Sequence, residues 1–137
     1  MASREDYDAR RMLQQYAVTA LWSSLGDDDE PLDAQFDEFD LADSARDEMV
    51  SDLAGFLDLI EEARPTVWDE MEATLWVDPG QVAHDFWLTR NHHGAGFWDR
   101  YSGGHPAAEL GDYLTKCAES YGSCDLYAGD DGKLYVM

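Results

Sequence analysis

Apolar residues recur at steps of three and four in the first part of the chain, a spacing that places them on one face of an α-helix. The first series is Leu13, Tyr16, Ala17, Ala20, Leu21 and Ser24. Ser3 and Asp6 have the spacing of a capping box before this series, and Gly26 follows it as a typical helix end. The pattern predicts a first helix between these signals.

A longer series predicts a second helix over about residues 41–63. Its apolar stripe is Leu41, Ala45, Met49, Leu53, Phe56, Leu57 and Ile60. Acidic residues fill the rest of the circumference, as on an amphipathic surface helix. Pro65 follows the expected end, and a shorter helix is predicted over residues 66–76 with Val67, Trp68, Met71 and Leu75 facing the core.

The character of the chain changes after Asp78-Pro79-Gly80, which reads as a turn. Two aromatic-rich runs, 86–89 and 96–99, flank an Asn-His-His-Gly sequence and predict a β-hairpin or strand–loop–strand. A further helix is predicted from Pro106 to about Tyr121, with Gly122 after its end.

The last residues predict a second hairpin, because two short apolar runs, 126–128 and 133–136, flank a Gly-Asp-Asp-Gly turn. The expected fold is α+β: acidic N-terminal helices packed on a small antiparallel sheet with one further helix. We expect a single domain over residues 1–137. Residues 1–78 form its acidic helical part, and residues 79–137 its part of hairpin, helix and hairpin.

Charge is distributed very unevenly along this chain. Thirty acidic residues oppose nine basic ones, giving a formal net charge of −21. Residues 27–80 carry nineteen of the acids and only two bases, whereas residues 1–26 sum to zero and residues 81–137 to −4. Direct binding of DNA, RNA or an anionic membrane needs a concentrated positive patch. We therefore expect none of these as a direct ligand.

Composition indicates a folded protein despite the charge, since 45% of the residues are hydrophobic and 12% aromatic. No apolar run approaches the roughly 18 residues that span a bilayer. The first six residues have no apolar stretch behind Arg4, so we expect no secretory signal. Cys117 and Cys124 are best interpreted as free thiols of a reducing cytoplasm, although a disulfide between them stays open.

One stretch contains side chains that metals use as ligands, namely His84, Asp85, His92, His93 and Asp99. A small metal-dependent hydrolase centred there is an alternative interpretation. However, no two histidines have the helical spacing of a zincin motif, and the chain has no Cys-x-x-Cys. The expectation is that these groups hydrogen-bond the loop, and that the protein is not an enzyme and has no metal or cofactor.

Residues 84–100, which read HDFWLTRNHHGAGFWDR, together with the later Gly-Asp-Asp-Gly-Lys hairpin, resemble a family of small uncharacterised proteins of bacteriophages and mobile elements. The resemblance covers roughly residues 75–137. The family pattern more often has Gly before a single His where this chain has His92 and His93. No chemistry follows from the resemblance, but it implies a phage-type protein that acts in the cytoplasm of a bacterial host.

The acidic block is interpreted as a surface for another protein. Carboxylates three or four positions apart on a helix lie about 5–6 Å from one another, a separation comparable with phosphate spacing along DNA. The hypothesis is a DNA mimic that inhibits a basic, DNA-binding host protein of restriction, CRISPR or other nucleic-acid machinery. Its predicted contacts are Asp43, Asp47, Glu48, Asp52, Asp58, Glu61, Glu62, Asp69 and Glu70.

Other interpretations of the acidic block remain open. It can be a solvated face or an adaptation to high salt, although salt adaptation should spread charge over every surface and the first helix is neutral. It can also belong to an adaptor or virion protein whose basic partner has no relation to DNA. A homodimer, which would double the acidic array, is also left open by the sequence.

Overall fold

The computed structural model of the protein describes residues 4–26, 29–73, 78–93, 96–97 and 108–137. Within these ranges the elements are α1 (Ala9–Ser23), α2 (Asp43–Ala63), α3 (Val67–Ala73), α4 (Pro79–Arg90), α5 (Ala108–Glu119), β1 (Leu126–Ala128) and β2 (Leu134–Val136). Short 3₁₀ turns occupy Arg4–Asp6, Leu32–Ala34 and Glu38–Asp40. The expected α+β class is confirmed.

The two long N-terminal helices form where the apolar period predicts them. The start of α1 is set by Asp8, whose side chain accepts from the backbone N–H of Arg10 at 2.9 Å. Ser3 of the expected capping box lies outside the described residues. Helix α2 buries six of its seven predicted stripe residues within its length, and Leu41 is buried just before it. Helix α3 is described over Val67–Ala73, and Leu75 and Trp76 of the predicted helix lie outside the described residues.

Residues 86–89 lie in helix α4, so the predicted strand at this position is wrong. Asp78 caps the helix by accepting from the backbone N–H of Gly80 at 2.9 Å, and Pro79 occupies its first turn. The same three residues read as a turn in the sequence because Asp, Pro and Gly serve both purposes.

The sequence of α4 resembles a strand because the helix is buried on nearly every side. Its buried residues are Val82, Ala83, Asp85, Phe86, Trp87, Leu88, Thr89 and Arg90. Such a helix has no polar face, so the period of 3.6 residues disappears from the sequence. The predicted order of hairpin, helix and hairpin over residues 79–137 therefore fails in its first member. Trp98 and Asp99 of that hairpin lie outside the described residues.

The C-terminal elements agree with the prediction. Helix α5 ends at Glu119, and Gly122 adopts the left-handed φ of +74° that lets the chain leave the helix. Strand β1 pairs antiparallel with β2 in the register Leu126↔Val136, and Leu41 bridges the other side of β2. Cys117 and Cys124 are both free thiols.

The core lies where α1, α2 and α4 meet. Phe86 of α4 stacks on Phe56 of α2 with ring centroids 4.3 Å apart, and on Tyr16 of α1 at 5.6 Å. Trp87 meets Tyr16 edge-on at 5.3 Å. Aromatic contacts of this kind add about 0.5–1.5 kcal/mol each beyond the burial of area. The buried residues from Tyr7 to Leu134 form a single hydrophobic cluster, which leaves the charged residues on the surface of α2 and its flanking turns.

Candidate acidic interface

The acidic residues predicted as partner contacts differ in how far they reach the surface. Those with exposed positions are Asp43, Asp47, Glu48, Asp58, Glu62 and Asp69. Those that are half-buried are Asp52, Glu61 and Glu70. The three half-buried carboxylates each make contacts within the protein, so they are less accessible to a partner than the six exposed ones.

Asp52, one of the predicted partner contacts, is half-buried and paired within the protein. Its carboxylate accepts from Nη1 of Arg90 at 2.8 Å, and its side chain is 26% exposed while that of Arg90 is 5% exposed. Arg90 is held by α4, so the pair joins α2 to α4 across the core. An ion pair with one buried partner contributes to orientation of the helices and leaves little charge for a second protein.

Glu61 and Asp58 also have partners inside the chain. Trp68 donates its indole N–H to Glu61 at 2.5 Å, which ties α3 to the end of α2. Arg4 approaches Asp58 at 3.3 Å, and the Asp58 side chain is still 71% exposed. Asp58 can therefore contact another protein only in competition with Arg4, whereas Glu61 helps to seat α3.

Glu70 is engaged by Arg64 through two hydrogen bonds, from Nε at 2.7 Å and from Nη2 at 2.6 Å. The hydrogen bonds from Arg64, with a further one from Thr66, hold the pKa of Glu70 below its ordinary value. This forked geometry is the strongest form of an Arg–carboxylate pair. It closes the short connection between α2 and α3.

We expect Glu70→Gln to lower the free energy of unfolding by about 0.5–1 kcal/mol at neutral pH, a modest value because the pair is partly exposed to solvent. The folded-state pKa of Glu70 is depressed, so the stabilisation is present above the ordinary glutamate pKa and is lost as pH falls through the folded value. Urea unfolding at neutral pH and at successively lower pH should show the difference between the two proteins shrinking in acid. A constant difference would contradict this assignment, and Asp69→Asn, one residue away and exposed, is the control.

The remaining exposed carboxylates of α2 form two separate groups. Asp43, Asp47 and Glu48 lie in the first two turns, and Glu62 lies near the end, about 21 Å from Glu48 at 1.5 Å per residue. Between Glu48 and Asp58 the one acidic residue is Asp52, which is paired with Arg90. The array is therefore concentrated at the N-terminal end of the helix and is not continuous along it.

The group at the start of α2 continues into the turn before it. We define the acidic segment as residues 37–48, which contain six acids, Asp37, Glu38, Asp40, Asp43, Asp47 and Glu48, and one base, Arg46. Asp37 caps the 3₁₀ turn by accepting from the backbone N–H of Phe39 at 2.9 Å, and Asp40 accepts from the N–H of Asp37 at 2.9 Å. These reciprocal bonds fix the conformation of the turn.

Phe39 projects from the centre of the acidic segment and is 80% exposed, the highest value among the large hydrophobic residues that are exposed in the described chain. In the sequence, Phe39 lies between Glu38 and Asp40 and shortly before the first turn of α2. Exposed aromatic side chains on fixed turns are typical anchors of protein interfaces. Sequence analysis missed this feature because Phe39 precedes the helix predicted over about residues 41–63, and no periodic pattern there indicates whether its side chain is buried.

The candidate metal ligands are not gathered into one centre in the described part of the chain. His84 Nδ1 lies 2.8 Å from the hydroxyl of Thr19, and buried Asp85 accepts from the side-chain amide of Gln81 at 3.1 Å. His92 and His93 are exposed beyond the end of α4, about 12 Å along the chain from His84 at helical rise. The described residues contain no group of three His, Cys, Asp or Glu that could hold a metal ion, and Asp99 lies outside them.

Comparison of the chain with protein-family models, with curated proteins and with solved structures finds no match in any of the three. Among the described residues, no helix combines the length and the apolar character needed to cross a membrane. The candidate site is therefore defined by its surface alone. The acidic segment combines a fixed turn, an exposed aromatic ring and exposed carboxylates.

Proposed function

We propose that this protein binds a basic, DNA-binding protein in place of DNA, and that the acidic segment is the principal contact. The observation that supports the proposal is the exposure of Asp43, Asp47 and Glu48, none of which forms an ion pair with a described residue. Concentrated unpaired carboxylates repel one another and oppose folding. A basic partner surface would remove that repulsion and so gain free energy on binding.

The spacing of these carboxylates suits a surface that reads phosphates. Asp43 and Asp47 are one helical turn apart, and side chains at that separation lie about 5–6 Å from one another. Phosphate contacts position DNA-binding proteins through lysine and arginine and do not need base edges. A short array of this kind would occupy part of a phosphate-binding groove, not its whole length.

Phe39 supports a protein as the partner. Nucleic-acid mimicry by charge alone gives an interaction that is strongly weakened by salt. An aromatic ring seated in an apolar pocket of the partner would add a contribution that salt does not screen. We infer that the target has an apolar depression beside its basic surface.

The target class in this proposal is host restriction, CRISPR or other nucleic-acid machinery in a bacterial cytoplasm, as the resemblance of residues 84–100 suggests. The test is retention of proteins from a nuclease-treated bacterial lysate on the immobilised chain, followed by elution with duplex DNA. We expect a DNA-binding protein to be retained at low salt and displaced by the duplex. Retention of a basic protein that duplex DNA does not displace would replace the mimic with an acidic adaptor, and no retention would overturn the proposal.

A further inference from the structure

Strand β1 has an unpaired edge in the described part of the chain. Asp125 and Met137 exchange two backbone hydrogen bonds at 3.1 and 3.0 Å, and the N–H of Gly129 donates to the carbonyl of Lys133 at 2.7 Å. Hydrogen-bonded positions alternate along an antiparallel pair. The backbone groups of Leu126 and Ala128 therefore point away from β2, where no described residue accepts from or donates to them. Leu126 is 4% exposed and Ala128 is exposed, so the accessible part of this edge lies at Ala128.

A cleft lies along this edge. One cavity of about 350 Å³ is lined by Ala128 and Tyr127 and, on its other side, by Leu25, Pro31 and Phe36. A second cavity of about 610 Å³ is lined by Leu126 and Tyr127 together with Leu25 and Met137. The two cavities share Leu25 and Tyr127, so together they follow the whole length of β1. No residue of the acidic segment lines either of them.

The walls of the cleft combine apolar and polar side chains, since Ser23, Asn91 and Ser123 also line the second cavity. Leu25 is 61% exposed, Tyr127 42% and Met137 77%, values that are high for side chains of this size. Glu30 lines the first cavity, Asp125 and His93 line the second, and no lysine or arginine of the described residues lines either. An occupant has to satisfy strand hydrogen bonds, contact the exposed apolar side chains and face the carboxylate of Asp125.

We propose that this cleft binds an extended segment of a partner protein, which pairs with β1 as an added strand and carries alternating apolar and basic side chains. An exposed strand edge is a template for such pairing, with backbone bonds supplying affinity and side-chain pockets supplying selectivity. Charge complementarity favours a basic segment. A second copy of this chain is disfavoured as the occupant, because two chains that each carry a net charge of −21 would repel each other. The proposal concerns a different surface from the acidic segment and does not depend on DNA mimicry.

The probe is an acetylated heptapeptide that alternates lysine with valine, and the readout is hydrogen exchange of individual amides by NMR. Ala128 is exposed and its N–H points away from β2, so this amide should exchange rapidly in the free protein. With the peptide bound, its exchange should be slower by about tenfold or more. A glutamate–valine heptapeptide should give no protection. In two further lysine peptides, either the backbone nitrogens of the valines or those of the lysines are methylated. Only one of the two should lose binding, because one set of backbone N–H groups faces β1.

Two variants with the same charge change separate this cleft from general attraction to an acidic protein. Leu25→Lys places a positive charge in the cleft and should weaken binding of the lysine peptide about tenfold or more. Ala63→Lys, at an exposed apolar position outside both the cleft and the acidic segment, should change it less than about twofold. Equal effects of the two variants, or peptide binding that leaves the Ala128 amide unprotected, would overturn the proposal. Protection of Ala128 that rises with protein concentration and without peptide would also overturn it, in favour of a homodimer.

Discussion

Replacing Arg90 with methionine should lower the free energy of unfolding by about 3 kcal/mol or more, the largest effect expected of a single substitution in this chain. Arg90 is 4% exposed, and its guanidinium donates to Asp52 at 2.8 Å and to the hydroxyl of Tyr16 at 3.0 Å. It also donates to the carbonyls of Gly122 at 2.9 Å and Tyr121 at 3.2 Å. One side chain therefore connects α1, α2 and α4 with the end of α5.

The cost arises from the groups that the substitution leaves behind. The buried phenol of Tyr16 would lose its donor, at a cost of about 1–3 kcal/mol, and two part-buried carbonyls would lose theirs at a smaller cost. Asp52 would keep part of its hydration, since its side chain is 26% exposed, which limits the total. Methionine retains most of the aliphatic volume, so loss of packing against Phe86 and Tyr121 is small by comparison.

Urea unfolding monitored by circular dichroism measures the effect, and Arg11→Met is the matched control. Arg11 has a side chain that is 89% exposed and lies 3.8 Å from Asp8, so its loss should change stability by less than about 0.5 kcal/mol. The double variant Arg90→Met/Asp52→Leu should be more stable than the sum of the two single effects predicts, because the pair is removed together. A loss below about 1 kcal/mol for Arg90→Met would show that the network contributes little.

The burial of each helix explains where prediction from the sequence succeeded and where it failed. Helices α1 and α2 were predictable because each buries one face, so their apolar residues recur with the helical period. The C-terminal hairpin was predictable from its Gly-Asp-Asp-Gly turn. Helix α4 was not, since it is surrounded by other elements and its sequence resembles a buried strand.

The wrong prediction for α4 also affected which acidic residues were predicted as partner contacts. Nothing in the sequence connects Arg90 with Asp52, which precedes it by 38 residues. Asp52 then appeared as one more carboxylate on a solvated face. The open edge of β1 was equally hidden, because strand neighbours are set by the packing of the whole chain and not by local pattern.

Reversing the charge of Asp43, Asp47 and Glu48 to lysine should weaken binding of the retained partner about 100-fold or more at low salt. Each replacement adds two charges, so the net charge changes from −21 to −15. Three close repulsive contacts in place of attractive ones at about 1 kcal/mol each account for this loss. The effect should shrink as salt rises, since the contacts are exposed and screened.

The matched control makes the same charge change on another surface. Lysine replacements of Glu109, Asp112 and Glu119, all exposed on α5, also give a net charge of −15. None of these residues belongs to the acidic segment, and the contact of Glu109 with Arg64 at 3.6 Å involves a carboxylate that is 84% exposed and contributes little. Their reversal should therefore reduce long-range attraction only and weaken binding less than about tenfold. Both triple variants should unfold cooperatively in urea, which shows that any lost binding is not lost structure.

The two variants together distinguish a localised interface from diffuse acidity. Strong loss with the α2 variant and weak loss with the α5 variant would place the contact at the acidic segment. Equal losses would mean that the partner responds to net charge alone, as expected of a solvated acidic surface or of adaptation to salt. Unchanged binding in the α2 variant would contradict the proposed function, because Asp43, Asp47 and Glu48 are the carboxylates on which it depends.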